Sequence, residues 1–247
     1  MYARFILIMA FCLVDLHGAL AGPPFVTDDP EPVDFRHWEL YVASLQEHKQ
    51  SGSSGTLPHI ELNYGAMPNL QIHLISPYAF THPEEKTTLS GYGDTEVGIK
   101  YRFLQETRNR PMLGVFPLVE LPTGNSNRGL GSGHFQFFFP VWLQKNWGSW
   151  ISYGGGGYNI NPGTGNRNFW LLGWEIQKDL SRYLTLGGEV YGTTPTVDGG
   201  LGELDFNIGG QYNFDEVHHL LFSAGRSIKG VLDFTVYVAF QWTFGPR

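Results

Sequence analysis

The stretch at 231–244 reads V-L-D-F-T-V-Y-V-A-F-Q-W-T-F, and it constrains everything before it. Phe234, Val236, Val238, Phe240, Trp242 and Phe244 fall on one parity, opposite Asp233, Thr235, Tyr237, Ala239, Gln241 and Thr243. Side chains alternate faces along a strand, so one face is wholly apolar and the other largely polar. In water that pattern describes a half-buried strand. The apolar face ends in two aromatics, as strands that close outer-membrane barrels do. A strand in lipid must belong to a closed barrel, because lipid cannot satisfy an open sheet edge.

Every earlier segment must then carry the same alternation. The segments 38–46, 56–64, 70–76, 94–103, 112–121, 134–144, 149–160, 168–178, 183–191, 204–214 and 219–226 do, except that four glycines at 154–157 erase the pattern in 149–160, and with the closing stretch they make about twelve strands. The expected fold is all-β, a transmembrane up-and-down antiparallel β-barrel. Tight connections at 65–69, 145–148, 179–182 and 215–218 alternate with longer ones at 46–55, 77–90, 122–133, 161–167 and 193–203. Short periplasmic turns and longer external loops produce that rhythm, and a soluble sandwich has no reason for it. The junctions 104–111 and 227–230 depart from it. Tyr64, Tyr101, Phe103, Tyr212, Phe214, Trp242 and Phe244 end the descending strands, which places an aromatic girdle at one level.

Composition agrees. Apolar runs stay below the ~18 residues of a spanning helix, which excludes a helical membrane protein. Charged residues reach only 16% while aromatics reach 15%, as suits a chain that shows half its strand side chains to lipid. A net charge of −7 without a basic patch excludes nucleic acid as a partner. Residues 1–21 read as an export signal, with Arg4, an apolar core at 5–14 and cleavage after Ala19-Leu20-Ala21. Cys12, the single cysteine, lies inside it, so the mature chain owes nothing to disulfides. Residues 22–36, G-P-P-F-V-T-D-D-P-E-P-V-D-F-R, read as an extended periplasmic leader before a barrel at 37–247.

The runs G-P-P-F-V-T-D-D-P-E-P-V (22–33), H-W-E (37–39), G-Y-G-D-T-E-V-G-I-K-Y-R-F (91–103) and V-E-L-P-T-G (119–124) occur together. With them the chain resembles the bacterial outer-membrane family named for phenol degradation through the meta pathway, whose members are often called transporters. The resemblance runs from Gly22 onward. It implies an outer-membrane barrel and uptake of small compounds, aromatic ones among the candidates.

With the apolar parity outward, the inward parity carries Glu39, His59, Glu61, Gln71, His73, Asp94, Glu96, Lys100, Arg102, Glu120, Gln136, Glu175, Gln177, Glu189, Asp205, Asn207 and Gln211. One reading is a polar lumen that selects solutes. The other is a filled, structural or gated interior in which Lys100 and Arg102 satisfy nearby carboxylates. Acid outweighs base on this list, so an open pore is expected to favour cations. Asp28, Asp29 and Glu31 suit a solvated leader; calcium binding and an inward plug are the alternatives, though the spacing of a calcium loop is absent.

His218 and His219 are adjacent, so on a strand they face opposite ways and cannot share a metal. The glycines at 154–157 and 163–165 lack the Lys-Ser/Thr of a phosphate loop and instead let the wall bend or approach a neighbour closely. No cofactor or metal is expected, and no enzymatic activity. The nearest enzymatic alternative, an outer-membrane lipid hydrolase, would need Ser223, Ser149 or Ser152, none of which has a G-x-S-x-G setting. Expected partners are outer-membrane lipid, a small solute, and the barrel-assembly machinery during biogenesis. Membrane fractionation should recover the chain with the outer membrane. Recovery in the soluble periplasmic fraction would mark a lipocalin-like binder instead.

Overall fold

The computed structural model describes residues 23–84 and 87–246. The export signal expected at 1–21, with Cys12, lies outside these described residues. The strands are β1 (Trp38–Lys49), β2 (Gly52–Met67), β3 (Leu70–Pro83), β4 (Leu89–Tyr92), β5 (Thr95–Leu104), β6 (Met112–Val115) and β7 (Leu118–Leu121), then β8 (Gln136–Trp147), β9 (Trp150–Ile160), β10 (Phe169–Ser181), β11 (Leu184–Thr193), β12 (Glu203–Asn213), β13 (His218–Lys229) and β14 (Leu232–Phe244).

Each strand pairs antiparallel with its neighbours. β1 returns to β14 in a ladder from Trp38↔Phe244 to Lys49↔Leu232, which closes the ring. β4 and β5 share one position in the wall beside β3, and β6 and β7 share the next, between β5 and β8. The fourteen strands therefore make a closed barrel of twelve wall positions.

The parity of the closing strand is realised in the wall. Phe234, Val238, Phe240, Trp242 and Phe244 are exposed outside, while Thr235, Ala239 and Gln241 are buried inside. The outer belt continues through Ile72 and Leu74, Ile99 and Phe103, Phe139 and Val141, Trp170 and Leu172, and Ile208. In water such a belt would be an unsustainable apolar surface; in a bilayer it meets its matching solvent. Near the chain termini the aromatics gather as the girdle requires. Trp38 stacks on Tyr64 at 4.2 Å, Trp242 lies 4.8 Å from Phe244, and Tyr212 lies 5.2 Å from Phe214.

Two loops expected from the sequence are strand instead. Residues 46–55 continue β1 and β2 to a two-residue turn at 50–51, with Gln46↔Gly55 and His48↔Ser53 in register. Residues 77–83 extend β3, pairing Phe80 with Gly55 and with Ser90. Gly, Ser and Thr there carry no apolar alternation, but their backbone groups pair because a neighbouring strand stands on each side. The longer external connections are those at 122–135, 161–168 and 194–202.

The glycines of β9 make room for a neighbour. Trp174 lies across Gly154, where a Cβ would sit 2.5 Å from Trp174 Cε3. The Trp174 indole donates to Ser152 Oγ at 2.9 Å, so its N–H is not left unpaired on the outer wall. The wall is interrupted between β6 and β7, where the Phe116 N–H donates to the Pro140 carbonyl of β8 at 3.3 Å and neither Pro117 nor Pro140 has an N–H to give. Phe116 turns inward there and is buried.

Placing Arg at Val238, midway along the lipid-facing side of β14, should destabilise the barrel by about 2–4 kcal/mol. Reversible urea unfolding from lipid vesicles would measure it, and a cost near zero would show that this face does not meet acyl chains.

Candidate functional site

The interior is organised around the N-terminal segment. Residues 23–33 run inside the ring, while Asp34, Phe35 and Arg36 are exposed: Thr27 and Asp29 are 0% exposed and Pro30 and Val33 are buried. The solvated leader expected from the acidic run is thereby corrected, and the inward alternative holds. Its prolines carry no N–H, so the segment cannot join the wall as a strand and crosses the lumen as extended chain.

Both sides of the wall hold it. At the girdle end, the Arg36 N–H donates to the Gly65 carbonyl at 2.7 Å. A side chain at Gly65 would place its Cβ 2.0 Å from the Asp34 carbonyl oxygen, so only glycine lets the leader pass. On β3, Gln71 Oε1 accepts the Val33 N–H at 2.9 Å. On β5, Lys100 Nζ donates to Asp28 Oδ1 at 3.0 Å and lies 3.7 Å from Asp29 Oδ2, while Arg102 Nη1 donates to Glu31 Oε1 at 3.1 Å. Arg102 is itself anchored by Asn69 Oδ1, which accepts from Nε and Nη2 at 3.0 and 2.9 Å. Across the lumen, Glu189 accepts the Val26 and Thr27 N–H groups at 2.8 Å each, and Ser223 Oγ donates to the Pro24 carbonyl at 2.6 Å. Gly173 leaves the gap that Thr27 occupies.

The other inward residues divide into three groups. Glu39, Glu61, His73 and Glu96 stand together on β1, β2, β3 and β5. Tyr41 donates to Glu39 at 2.7 Å, Asn63 donates to Glu61 at 2.8 Å, and His73 Nε2 lies 3.0 Å from Glu96 Oε1. Glu175, Gln177, Glu189 and Asp205 are buried along β10, β11 and β12, with Ser227 donating to Asp205 at 2.5 Å and Asn207 to Glu189 at 2.6 Å. Asp94, Glu120, Gln136 and Gln211 serve local ends of the barrel. Asp94 accepts the Gly124 and Ser132 N–H groups and so pins the connection at 122–135, Glu120 pairs across from Glu96 and Gln136, Gln136 donates to Asn161, and Gln211 donates to Asn213.

Two of the three serines offered for hydrolysis are otherwise engaged. Ser223 faces the lumen and is spent on Pro24, and Ser152 lies under Trp174. His219 is buried with Nδ1 on Asn213, while His218 pairs with Asp215 in the turn. The Asp215 carboxyl is pulled down to about 2 by His218 and by the Val217 N–H.

A cavity of about 270 Å³ remains between leader and wall. Val26, Asp28 and Val33 border it from the leader, and Glu39, Glu61, His73, Glu96 and Phe116 border it from the wall. That is close to the ~300 Å³ at which small-molecule sites begin. Its electrostatics follow from the pairing. Lys100 and Arg102 are taken by the leader's acids, so Glu39, Glu61, Glu96 and His73 are the ionisable groups left on the cavity's wall.

The sequence did not reveal the leader's contacts, neither the ion pairs on Lys100 and Arg102 nor the neutral ones at Thr27, Gln71, Gly173 and Ser223. One signal was present: two cations alternate inward on β5, facing three acids in a segment that cannot be a strand. Removing the charge in Lys100→Met leaves Asp29 buried with the Glu31 N–H but without a cation, at a cost of about 3–5 kcal/mol. We expect the leader to become sensitive to protease while the barrel still migrates as folded on unheated gels; an equally protected leader would show that the ion pair does not hold it.

No family model matches the chain, and no curated protein sequence matches it. Among solved structures it is similar to an outer membrane channel from Pseudomonas putida F1, at a TM-score of 0.74 and 15% identity over 87% of this chain and 98% of that one. Salmonella typhi OmpF in complex with daunomycin aligns at a TM-score of 0.37 and 7% identity, over 84% of this chain and 96% of that one. The first likeness establishes the fold: this barrel is built as an outer-membrane channel is built.

Proposed function

We propose that the chain is a channel of the bacterial outer membrane that admits small solutes passively through a polar, acid-leaning lumen narrowed by its own leader. The observation that carries this reading is the combination of an apolar outer belt with a polar interior that keeps a cavity beside the leader. The likeness in fold to an outer membrane channel supports it. Membership of the phenol-degradation family, export with cleavage after Ala21, and aromatic compounds among the solutes are the finer parts of the proposal. They rest on the resemblance and on the signal-like first residues. Glu39, Glu61, His73 and Glu96 line the route on one side, with lipid and the assembly machinery as the further partners.

Because the leader occupies Lys100 and Arg102, the open part of the route is governed by carboxylates and favours cations. A second reading, a plugged or gated barrel, draws support from the complete burial of Thr27 and Asp29. Planar-bilayer recording distinguishes them. A conducting wild-type chain whose reversal potential in a salt gradient reports cation preference supports the channel. A clear anion preference overturns the acid-governed route, and insertion without current favours the plugged barrel.

A further inference from the structure

His73 is held in a setting that fits only one of its protonation states. Glu61 Oε1, which can only accept, receives Asn63 Nδ2 at 2.8 Å, and this fixes the orientation of the Asn63 amide. Asn63 Oδ1 then faces His73 Nδ1 at 2.7 Å, and an amide oxygen also only accepts, so Nδ1 carries a hydrogen. On the other side of the ring, Nε2 lies 3.0 Å from Glu96 Oε1. A carboxylate accepts, so Nε2 carries a hydrogen too. A ring with both nitrogens protonated is the imidazolium, and either neutral tautomer would aim a lone pair at an acceptor.

The groups around the ring agree. β2 brings Glu61 within 3.6 Å of Nδ1, and its His59 is turned to Thr56 at 3.2 Å. β5 brings Glu96 and also Lys100, whose ammonium is committed to Asp28 and Asp29 of the leader. The Phe116 ring meets His73 edge-on at 5.1 Å. His73 is 4% exposed, yet it borders the cavity with Glu61 and Glu96.

We propose that His73 is a selectivity-determining residue, a fixed imidazolium that offsets Glu61 and Glu96 and so limits how strongly the lumen prefers cations. This rests on the channel reading above. A unit charge about 5 Å from a passing ion changes that ion's local population about three- to fourfold even at the dielectric constant of water.

The test uses the full-length channel in planar bilayers under a potassium chloride gradient at neutral pH. His73→Gln removes the charge and keeps a polar side chain, and His73→Lys restores a charge by a different group. The potassium-over-chloride permeability ratio should rise about tenfold in His73→Gln, because potassium gains the three- to fourfold factor and chloride loses it, and return toward the wild-type value in His73→Lys. A conducting wild type with an unchanged ratio in His73→Gln, or the same change in both variants, overturns this proposal and leaves the channel reading standing. A wild type that inserts and passes no current overturns the channel reading, and this proposal with it. Should His73→Gln fail to fold, the ring nitrogens of His73 in the wild type decide by nitrogen-15 NMR in micelles. Two protonated nitrogens at neutral pH support the imidazolium, and a neutral tautomer overturns it.

Discussion

Hydrocarbon offers no partner to a peptide group, and the rest of this structure depends on that constraint. An open sheet edge in the bilayer would leave a row of N–H and C=O groups unpaired, each at a cost of several kcal/mol. The ladder between β1 and β14 removes that edge. Once the ring is closed, each strand has one face toward lipid and one toward the interior, and the parity of its residues is no longer free. A slip of one residue at the closure would turn Phe240 and Trp242 inward and Gln241 outward.

Closure with twelve wall positions creates a second requirement. A barrel of about eight strands is filled by its own side chains, and a wider one encloses space that must be wetted or occupied. Here part of it is occupied by the leader. The charges make its seat specific: Lys100 and Arg102 stand two residues apart on β5, and Asp28, Asp29 and Glu31 meet them in one register. A buried ion pair is weak evidence of net stability, because taking the ions out of water opposes their attraction. Its effect is on placement, since a shifted seating would leave Asp29 buried without a cation. On the opposite wall the leader's own N–H groups donate to Glu189 and Ser223 donates to the leader, which adds direction without a further ion pair.

Much of this was legible in the residues. Strict alternation along 56–64, 94–103 and 231–244 identifies the strands and assigns lipid and lumen faces, because a period of two has only one structural meaning in a closed barrel. It failed where alternation is missing. Around 46–55, Ser and Gly give no face preference, so the length of the β1–β2 hairpin was decided by its neighbours in the sheet. The break at Phe116 and Pro117 was equally hidden, since a proline reads as a break only when its partner across the ladder is known. The acidic leader looked like solvated chain because its partners are about 40 to 200 residues away.

The sequence by itself determined that this chain is an all-β barrel with an apolar outside, because those properties follow from side-chain period and residue type, which are local. Only the tertiary structure decided which inward charges meet. The folding of the leader into the lumen, the commitment of Lys100 and Arg102 to its acids, and the grouping of Glu61, Asn63, His73 and Glu96 all join residues from different strands. Such contacts depend on the stagger between strands and on how far the interior stays open, and these are set only when the ring closes.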